Sequence, residues 1–272
     1  MKRIIAILIL ALFIIGCQET APPVNGGSNP PPQSNTANHG VQFVLGNDFQ
    51  ASLNEANKFK YIGFNTPFDP SVDAPEIVKV AYSNNVKGTP IVNIGFAQGV
   101  DVTKYAQQIV FVCKTYKPRY LGIGNEVNLL SGDSAAVVND VYGKAKAECP
   151  NTQFFVVLQY ESSGFNPSKY NTDMIGVTSY PFMRYSSPDQ IPSDYYASLP
   201  KNVIFTEIGW KDANPDFIDV FLDRTNRVGM SSDIMMYGLL YDVQGKGAPW
   251  DSLGLISKDG LRKEAWTKWM ST

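Results

Sequence analysis

From residue 41 onward, two hydrophobic patterns alternate along the chain. Short runs rich in aliphatic and aromatic residues stand at 41-VQFVLG-46, 61-YIGFNTPF-68, 90-PIVNIGF-96, 120-YLGIGNE-126, 154-FFVVLQY-160, 174-MIGVTSY-180, 203-VIFTEIG-209 and 234-IMMYGLLY-241. Between most of them apolar residues recur every three or four positions, which predicts helices over 74–86, 103–116, 134–148, 215–228 and 261–270. The first connection is thin, and the fifth, around 165-FNPSKYNTD-173, is short. Strands alternating with helices argue for parallel pairing through crossover connections. Eight such units over residues 41–272 predict a single (β/α)8 barrel, with an open doubly wound sheet as the alternative.

The start of the chain follows a different pattern. In 1-MKRIIAILILALFIIGC-17 a short basic start, Lys2 and Arg3, precedes an apolar run that stops at Gly16-Cys17. That run is short for a membrane span and fits a signal peptide over 1–16. Ile14-Ile15-Gly16-Cys17 resembles the lipobox of prokaryotic lipoproteins, which implies cleavage before Cys17 and lipidation of its thiol; an ordinary secretory signal is the alternative. Both readings put the mature protein outside the cytoplasm, and the first anchors it to a membrane. The following 18-QETAPPVNGGSNPPPQSNTANHG-40 is dominated by Pro, Gly, Ser and Asn and has one valine. Such a segment buries too little apolar surface to offset its ordering entropy, so a disordered tether is expected from Cys17 to residue 40.

Composition narrows the chemistry. A net charge of −2 leaves no basic footprint for nucleic acid. The only histidine, His39, falls in the expected tether, so the barrel should hold neither a Ser-His-Asp triad nor a histidine metal site. Lys211, the nearest candidate for Schiff-base chemistry, follows the seventh run and is expected to face solvent. The segment 244-QGKGAP-249 has neither P-loop nor dinucleotide-binding spacing and reads as a turn. With Cys17 assigned to the anchor, Cys113 and Cys149 form an even pair, which suggests a disulfide between neighbouring helices; two inert buried thiols are the alternative.

Barrel chemistry sits at the C-terminal ends of the strands. Those ends supply Asp48, Asn65, Asn93, Gln98, Asn125, Glu126, Gln159, Tyr160, Glu161, Ser179, Tyr180, Glu207, Trp210, Tyr241 and Asp242. Glu126 and Glu207 stand out, because each ends an apolar run and they lie 81 residues apart, three barrel units. A carboxylate beside a core is costly unless paired or put to use.

The fragments 122-GIGNEVN-128 and 206-TEIGW-210 resemble the acid/base and nucleophile motifs of clan A glycoside hydrolases. The segment 176-GVTSYPF-182 is similar to the sixth-strand motif of family 17 β-glucanases and family 53 galactanases in that clan. The resemblance implies that Glu126 is the general acid/base and Glu207 the nucleophile. It further implies that Asn125 bonds the sugar 2-hydroxyl and that Tyr180 orients Glu207 through its phenol. Strand 2 has no arginine of the kind that supports the nucleophile in much of the clan, and Trp250 or Tyr241 would supply the platform of the missing strand-8 tryptophan. The implied reaction needs neither metal nor cofactor.

Sugars stack their CH faces on flat rings while amides bond their hydroxyls. Gln159 and Asn65 are therefore added as substrate-binding candidates, with Trp210, Tyr241 and Trp250 as platforms and Phe96, Tyr160, Phe182 and Tyr185 as further rim aromatics. Trp266 and Trp269, three apart, are expected to pack the last helix onto the barrel. The expectation is a retaining β-glycosidase, endo-acting on a polysaccharide and monomeric. Its rival is a catalytically inactive carbohydrate-binding surface lipoprotein on the same barrel.

Overall fold

The computed structural model describes residues 37–230 and 234–272. The signal segment, Cys17 and most of the tether lie outside the described residues. Eight strands, β1 (Ala37–Gln42), β2 (Phe59–Pro67), β3 (Thr89–Gly95), β4 (Tyr120–Ile123), β5 (Gln153–Gln159), β6 (Met174–Ser179), β7 (Val203–Ile208) and β8 (Met235–Tyr237), pair in sequence order into a closed barrel. Every pairing is parallel, including β1 with β8. The doubly wound alternative is thereby ruled out.

Among the described residues six α-helices surround the strands: α1 (Phe49–Ala56), α2 (Glu76–Ala81), α3 (Val102–Tyr116), α4 (Ser134–Glu148), α5 (Pro215–Arg227) and α6 (Glu264–Ser271). Their starts follow local chemistry. Asp101 accepts from the backbone N–H groups of Thr103 and Lys104, Asp133 from Ala136, and Asn214, followed by Pro215, from Asp216. Each cap satisfies N–H groups that a helix leaves unpaired in its first turn. Helix α1 has no counterpart among the predicted helices. Its cap is Asp48, bonded to the Ala51 N–H at 2.6 Å, so Asp48 belongs to a helix start rather than to the catalytic rim.

At the amino end the barrel starts earlier than predicted. Strand β1 takes in residues 37–40, so His39 is part of the barrel wall and not of the tether. Its ring stacks on Trp269 at 4.7 Å, and Trp269 Nε1 donates to the Gly40 carbonyl at 2.8 Å. Trp269 is fully buried and fastens α6 to β1, while Trp266 is only partly covered beneath Arg262.

Two of the crossovers contain no α-helix among the described residues. Between β5 and β6 stands only a short 3-10 turn, Pro167–Lys169; between β6 and β7 stand Pro181–Met183 and Pro188–Gln190. Aromatic rings fill the space a helix would cover: Tyr160, Tyr195, Tyr196, Phe205 and Phe221 meet edge-on or tilted at 4.9–5.8 Å. Buried rings of this kind contribute about 0.5–1.5 kcal/mol per pair beyond their area.

Inside the barrel the lower layer is apolar: Tyr61, Ile91, Tyr120, Phe155, Val157, Ile204, Ile234 and Met236 form one buried cluster. Above it the lining turns polar, and glycines make the room. A Cβ on Gly63 would lie 2.3 Å from the Gln42 side chain, and one on Gly122 would lie 2.3 Å from that of Asn93. On the outside, Cys113 near the end of α3 and Cys149 just after α4 are joined in a disulfide.

Candidate active site

Glu126 and Glu207 reach the barrel mouth by two local irregularities. Strand β4 ends at Ile123, earlier than the predicted run, and the chain turns out of the sheet at Gly124, whose φ is 129°. A Cβ there would meet Val127 at 2.5 Å, so the turn requires glycine. Glu126 follows in the left-handed region, φ 46°, a conformation that costs an ordinary residue about 1–2 kcal/mol. On β7 the register against β6 shifts by one residue, since Val177 pairs with Phe205 but Thr178 with Glu207. The extra residue is Thr206. Phe205 and Ile208 belong to the outer core, and the bulge turns Glu207 inward where strict alternation would have turned it out.

The two carboxylates have unequal surroundings. Glu126 is 6% exposed and accepts one side-chain hydrogen bond, from Thr178 Oγ1 to its Oε1 at 2.7 Å. Glu207 accepts two: Asn65 Nδ2 donates to Oε1 and the Tyr180 hydroxyl to Oε2, each at 2.7 Å. Burial first, then the charge of Glu207, pushes the Glu126 carboxyl up to about 8; Glu161 adds in the same direction, while Thr178 and Lys246 oppose. Glu207 is also raised by burial, against the hydrogen bonds of Tyr180 and Asn65 and the charge of Lys246. Both carboxyls are raised; Glu126, with one donor, is the one set to keep its proton, while the two donors on Glu207 favour its ionised form.

The other predicted residues divide. Asn65, on β2, supports Glu207 directly, in the strand where an arginine is missing. Asn125 is half-buried, and its Oδ1 accepts from Asn93 Nδ2 at 3.0 Å. Trp250 is half-buried, edge-on to both Tyr180 and Phe182 at 5.3 Å. Three residues assigned to substrate binding are elsewhere. Trp210 is 1% exposed, packed against Phe217 and Phe182, so it is core and not a platform. Tyr241 is buried over Gly46 and shares a hydrogen bond with Ser52, on the α1 side. Gln159 is buried and spends its amide N–H on Glu161 Oε2 at 2.7 Å. Among the further rim aromatics, Phe96 and Tyr160 are buried; Phe182 and Tyr185 are half-exposed.

Residues outside the predicted set also reach the site. Thr178 lies inside the 176–182 motif, and only its inward register on β6 reveals its bond to Glu126. Lys246 lies in the segment that reads as a turn. That segment does turn, with Gly245 and Gly247 at positive φ, but it also brings the Lys246 charge to bear on both carboxylates. Phe49, 42% exposed at the start of α1, pairs with Phe43, after β1, at 6.0 Å, but Phe43 packs on Phe64 of the outer core and the pair is no part of the site. Among the described residues no group of three or more His, Cys, Asp or Glu side chains is arranged to hold a metal ion, and no helix is long and apolar enough to cross a membrane.

No family model matches the sequence, and no curated protein does. Solved structures do match. A family 39 glycoside hydrolase from the gut symbiont Bacteroides cellulosilyticus WH2 is similar over 87% of this chain at 16% identity, with a TM-score of 0.67. The chain spans 63% of that protein's length. A GH5_18 protein from Streptomyces cattleya, solved in complex with Manb1-4GlcNAc, is similar over 87% of this chain and 79% of its own, at 12% identity and a TM-score of 0.66. A β-glucuronidase from Ruminococcus gnavus, solved with D-glucuronic acid, is similar over 87% of this chain and 49% of its own, at 14% identity and a TM-score of 0.59. At these identities the likeness shows a shared fold: the chain is built on the same (β/α)8 barrel as these glycosidases.

Proposed function

We propose that the protein is a retaining β-glycosidase that cuts internal linkages of a polysaccharide, with Glu126 as general acid/base and Glu207 as nucleophile. The observation that carries this reading is the pair of carboxylates at the barrel mouth, Glu126 buried with a single donor and raised to about 8, Glu207 half-buried and held by two donors. Glycoside hydrolysis needs those two states: a neutral acid to protonate the leaving oxygen and an anion facing the anomeric carbon.

In the first step Glu207 attacks the anomeric carbon while the Glu126 proton passes to the departing glycosidic oxygen. The resulting ester removes the Glu207 charge and with it part of what favours the protonated form of Glu126. Glu126 then takes a proton from water as that water cleaves the ester, which returns both groups to their starting states. Asn93 holds the Asn125 carbonyl, so the Asn125 amide N–H is the group turned to a sugar 2-hydroxyl. Trp250 with Phe182, both beside Tyr180, offers rings at the mouth on which a sugar face can stack. Lipidation of Cys17 would tether this domain to a membrane outside the cytoplasm; Cys17→Ser should move the protein from the membrane fraction to the soluble one.

The decisive test is a 2-fluoro glycosyl label of matching configuration, followed by peptide mass spectrometry. The adduct is expected on Glu207 and absent in Glu207→Gln; stable labelling of a different residue, or hydrolysis with inversion at the anomeric carbon, would refute the assignment.

A further inference from the structure

Glu161 is a buried carboxylate that the double displacement leaves unused. It follows β5 on the wall between Glu126 and the aromatic cluster, and both its oxygens are saturated. Oε1 accepts from the Ser179 hydroxyl at 2.7 Å and the Tyr195 hydroxyl at 3.0 Å; Oε2 accepts from Gln159 Nε2 at 2.7 Å and the Tyr180 backbone N–H at 3.0 Å. The two donors on Oε2 are N–H groups that cannot accept in return. Tyr196 extends the chain, its hydroxyl 2.9 Å from Ser179 Oγ. Three carboxylates at one mouth therefore receive one, two and four donors: Glu126, Glu207 and Glu161.

Four donors are more than burial alone calls for, and one of them is the backbone of the residue whose phenol grips Glu207. We propose that Glu161 is a positioning residue, a lasting anion that fixes Tyr180 against Glu207 and sets a constant negative charge behind the Glu126 proton. This inference rests on the glycosidase reading of the same site. The charge of Glu207 vanishes when the glycosyl ester forms and returns on hydrolysis, whereas that of Glu161 persists through the cycle. The charged and titratable groups facing this region are Glu207 from β7, Lys246 from the loop after β8, Tyr160 at the end of β5, Arg184 and Tyr185 after β6, and Tyr195 and Tyr196 from the β6–β7 connection. Burial leaves the Glu161 carboxyl raised above its ordinary range, with the bonds from Tyr180, Ser179 and Tyr195 opposing that rise, and the two N–H donors on Oε2 are the contacts that favour its ionised form.

The contact geometry separates charge from shape. In Glu161→Gln the new carbonyl can keep both N–H donors, while its NH2 faces the Ser179 and Tyr195 hydroxyls, which are able to turn and accept. Glu161→Ala loses charge and contacts together. Titration of the Glu126 carboxyl by 13C NMR, in protein labelled at glutamate, is expected to show a lower midpoint in Glu161→Gln than in the unmutated chain. On an activated aryl β-glycoside, the alkaline limb of kcat/KM should move down with it. Glu161→Ala should lose roughly ten-fold more kcat than Glu161→Gln, as misplacing a reacting group does. An unchanged Glu126 midpoint, or equal losses in the two variants, overturns the proposal. Should Glu161→Ala fail to fold, the midpoint in Glu161→Gln decides alone. Should the unmutated protein cleave no glycoside, the glycosidase reading falls, while the NMR midpoint still reports on Glu161.

Discussion

The two ends of the barrel interior differ in kind. At the lower end Tyr61, Tyr120, Phe155 and Ile204 close the cylinder with apolar packing. At the mouth the lining consists of Asn65, Asn93, Asn125, Glu126, Thr178 and Glu207, joined by hydrogen bonds of 2.7–3.0 Å. Both ends are built on the same eight strands, so the difference lies in the inward residues and not in the backbone plan. The lower layer lowers the free energy of folding by removing apolar surface from water. The upper layer holds carboxyl groups out of water, raises them and leaves Glu126 strained, which stabilises nothing by itself. Features that cost folding free energy and gather in one place mark a site of function.

This contrast can be broken by experiment, and the largest effect is expected at the mouth. Glu207→Gln and Glu126→Gln should each reduce hydrolysis of a glycan substrate at least about a thousand-fold with little loss of melting temperature. A variant that unfolds instead would show that the mouth serves the fold. Phe155→Ala, at the lower end, should do the opposite: about 3–5 kcal/mol of stability lost in urea titration, because a fully buried ring leaves a cavity. Its pH optimum should stay where it was.

Outside the barrel, Cys149→Ala removes the link between α3 and α4. A loss of about 2–4 kcal/mol is expected, with the unmutated protein under reducing conditions behaving alike. Tyr180→Phe deletes one of the two donors to Glu207. Hydrolysis should fall roughly ten-fold, and the acid limb of the pH profile should move to higher pH, since the lost bond had opposed the rise of that carboxyl.

A last effect concerns stability against pH and not activity. Glu126 is raised in the folded chain, so the native state binds its proton more tightly than the unfolded state. Stability from this group is full below the unfolded value and declines as pH rises from about 4.5 toward about 8. Glu126→Gln removes that decline. Its melting temperature should exceed that of the unmutated protein by more at pH 9 than at pH 5. An equal difference at both values would mean that Glu126 is not held protonated.

The barrel was legible because eight apolar runs with intervening helices have few ways to bury themselves, and parallel pairing follows from the crossovers. The order of the strands and the strand pair carrying Glu126 and Glu207 were readable for the same reason. Helix α1 was not. Its 48-DFQASLNEA-56 has a capping Asp48 but spans only two turns, too little for a clear period. The β6–β7 connection escaped as well, because an aromatic cluster takes the place of a helix and such packing has no periodic signature. Trp210 and Tyr241 were legible as aromatic and as rim-adjacent. Which way each ring pointed was not: Trp210 turns to α5 and Tyr241 to α1.

Residue types in order along the chain determined the strands, most of the caps and the identity of the acidic pair. These depend on neighbours a few positions apart, where propensity and hydrophobic period act. Only the tertiary structure decided that Thr206 bulges to turn Glu207 inward, that Asn65 rather than an arginine supports it, and that Thr178 donates to Glu126. The imbalance of one donor against two arises between strands far apart in sequence. It is a property of burial and register, which a linear string of residues does not carry.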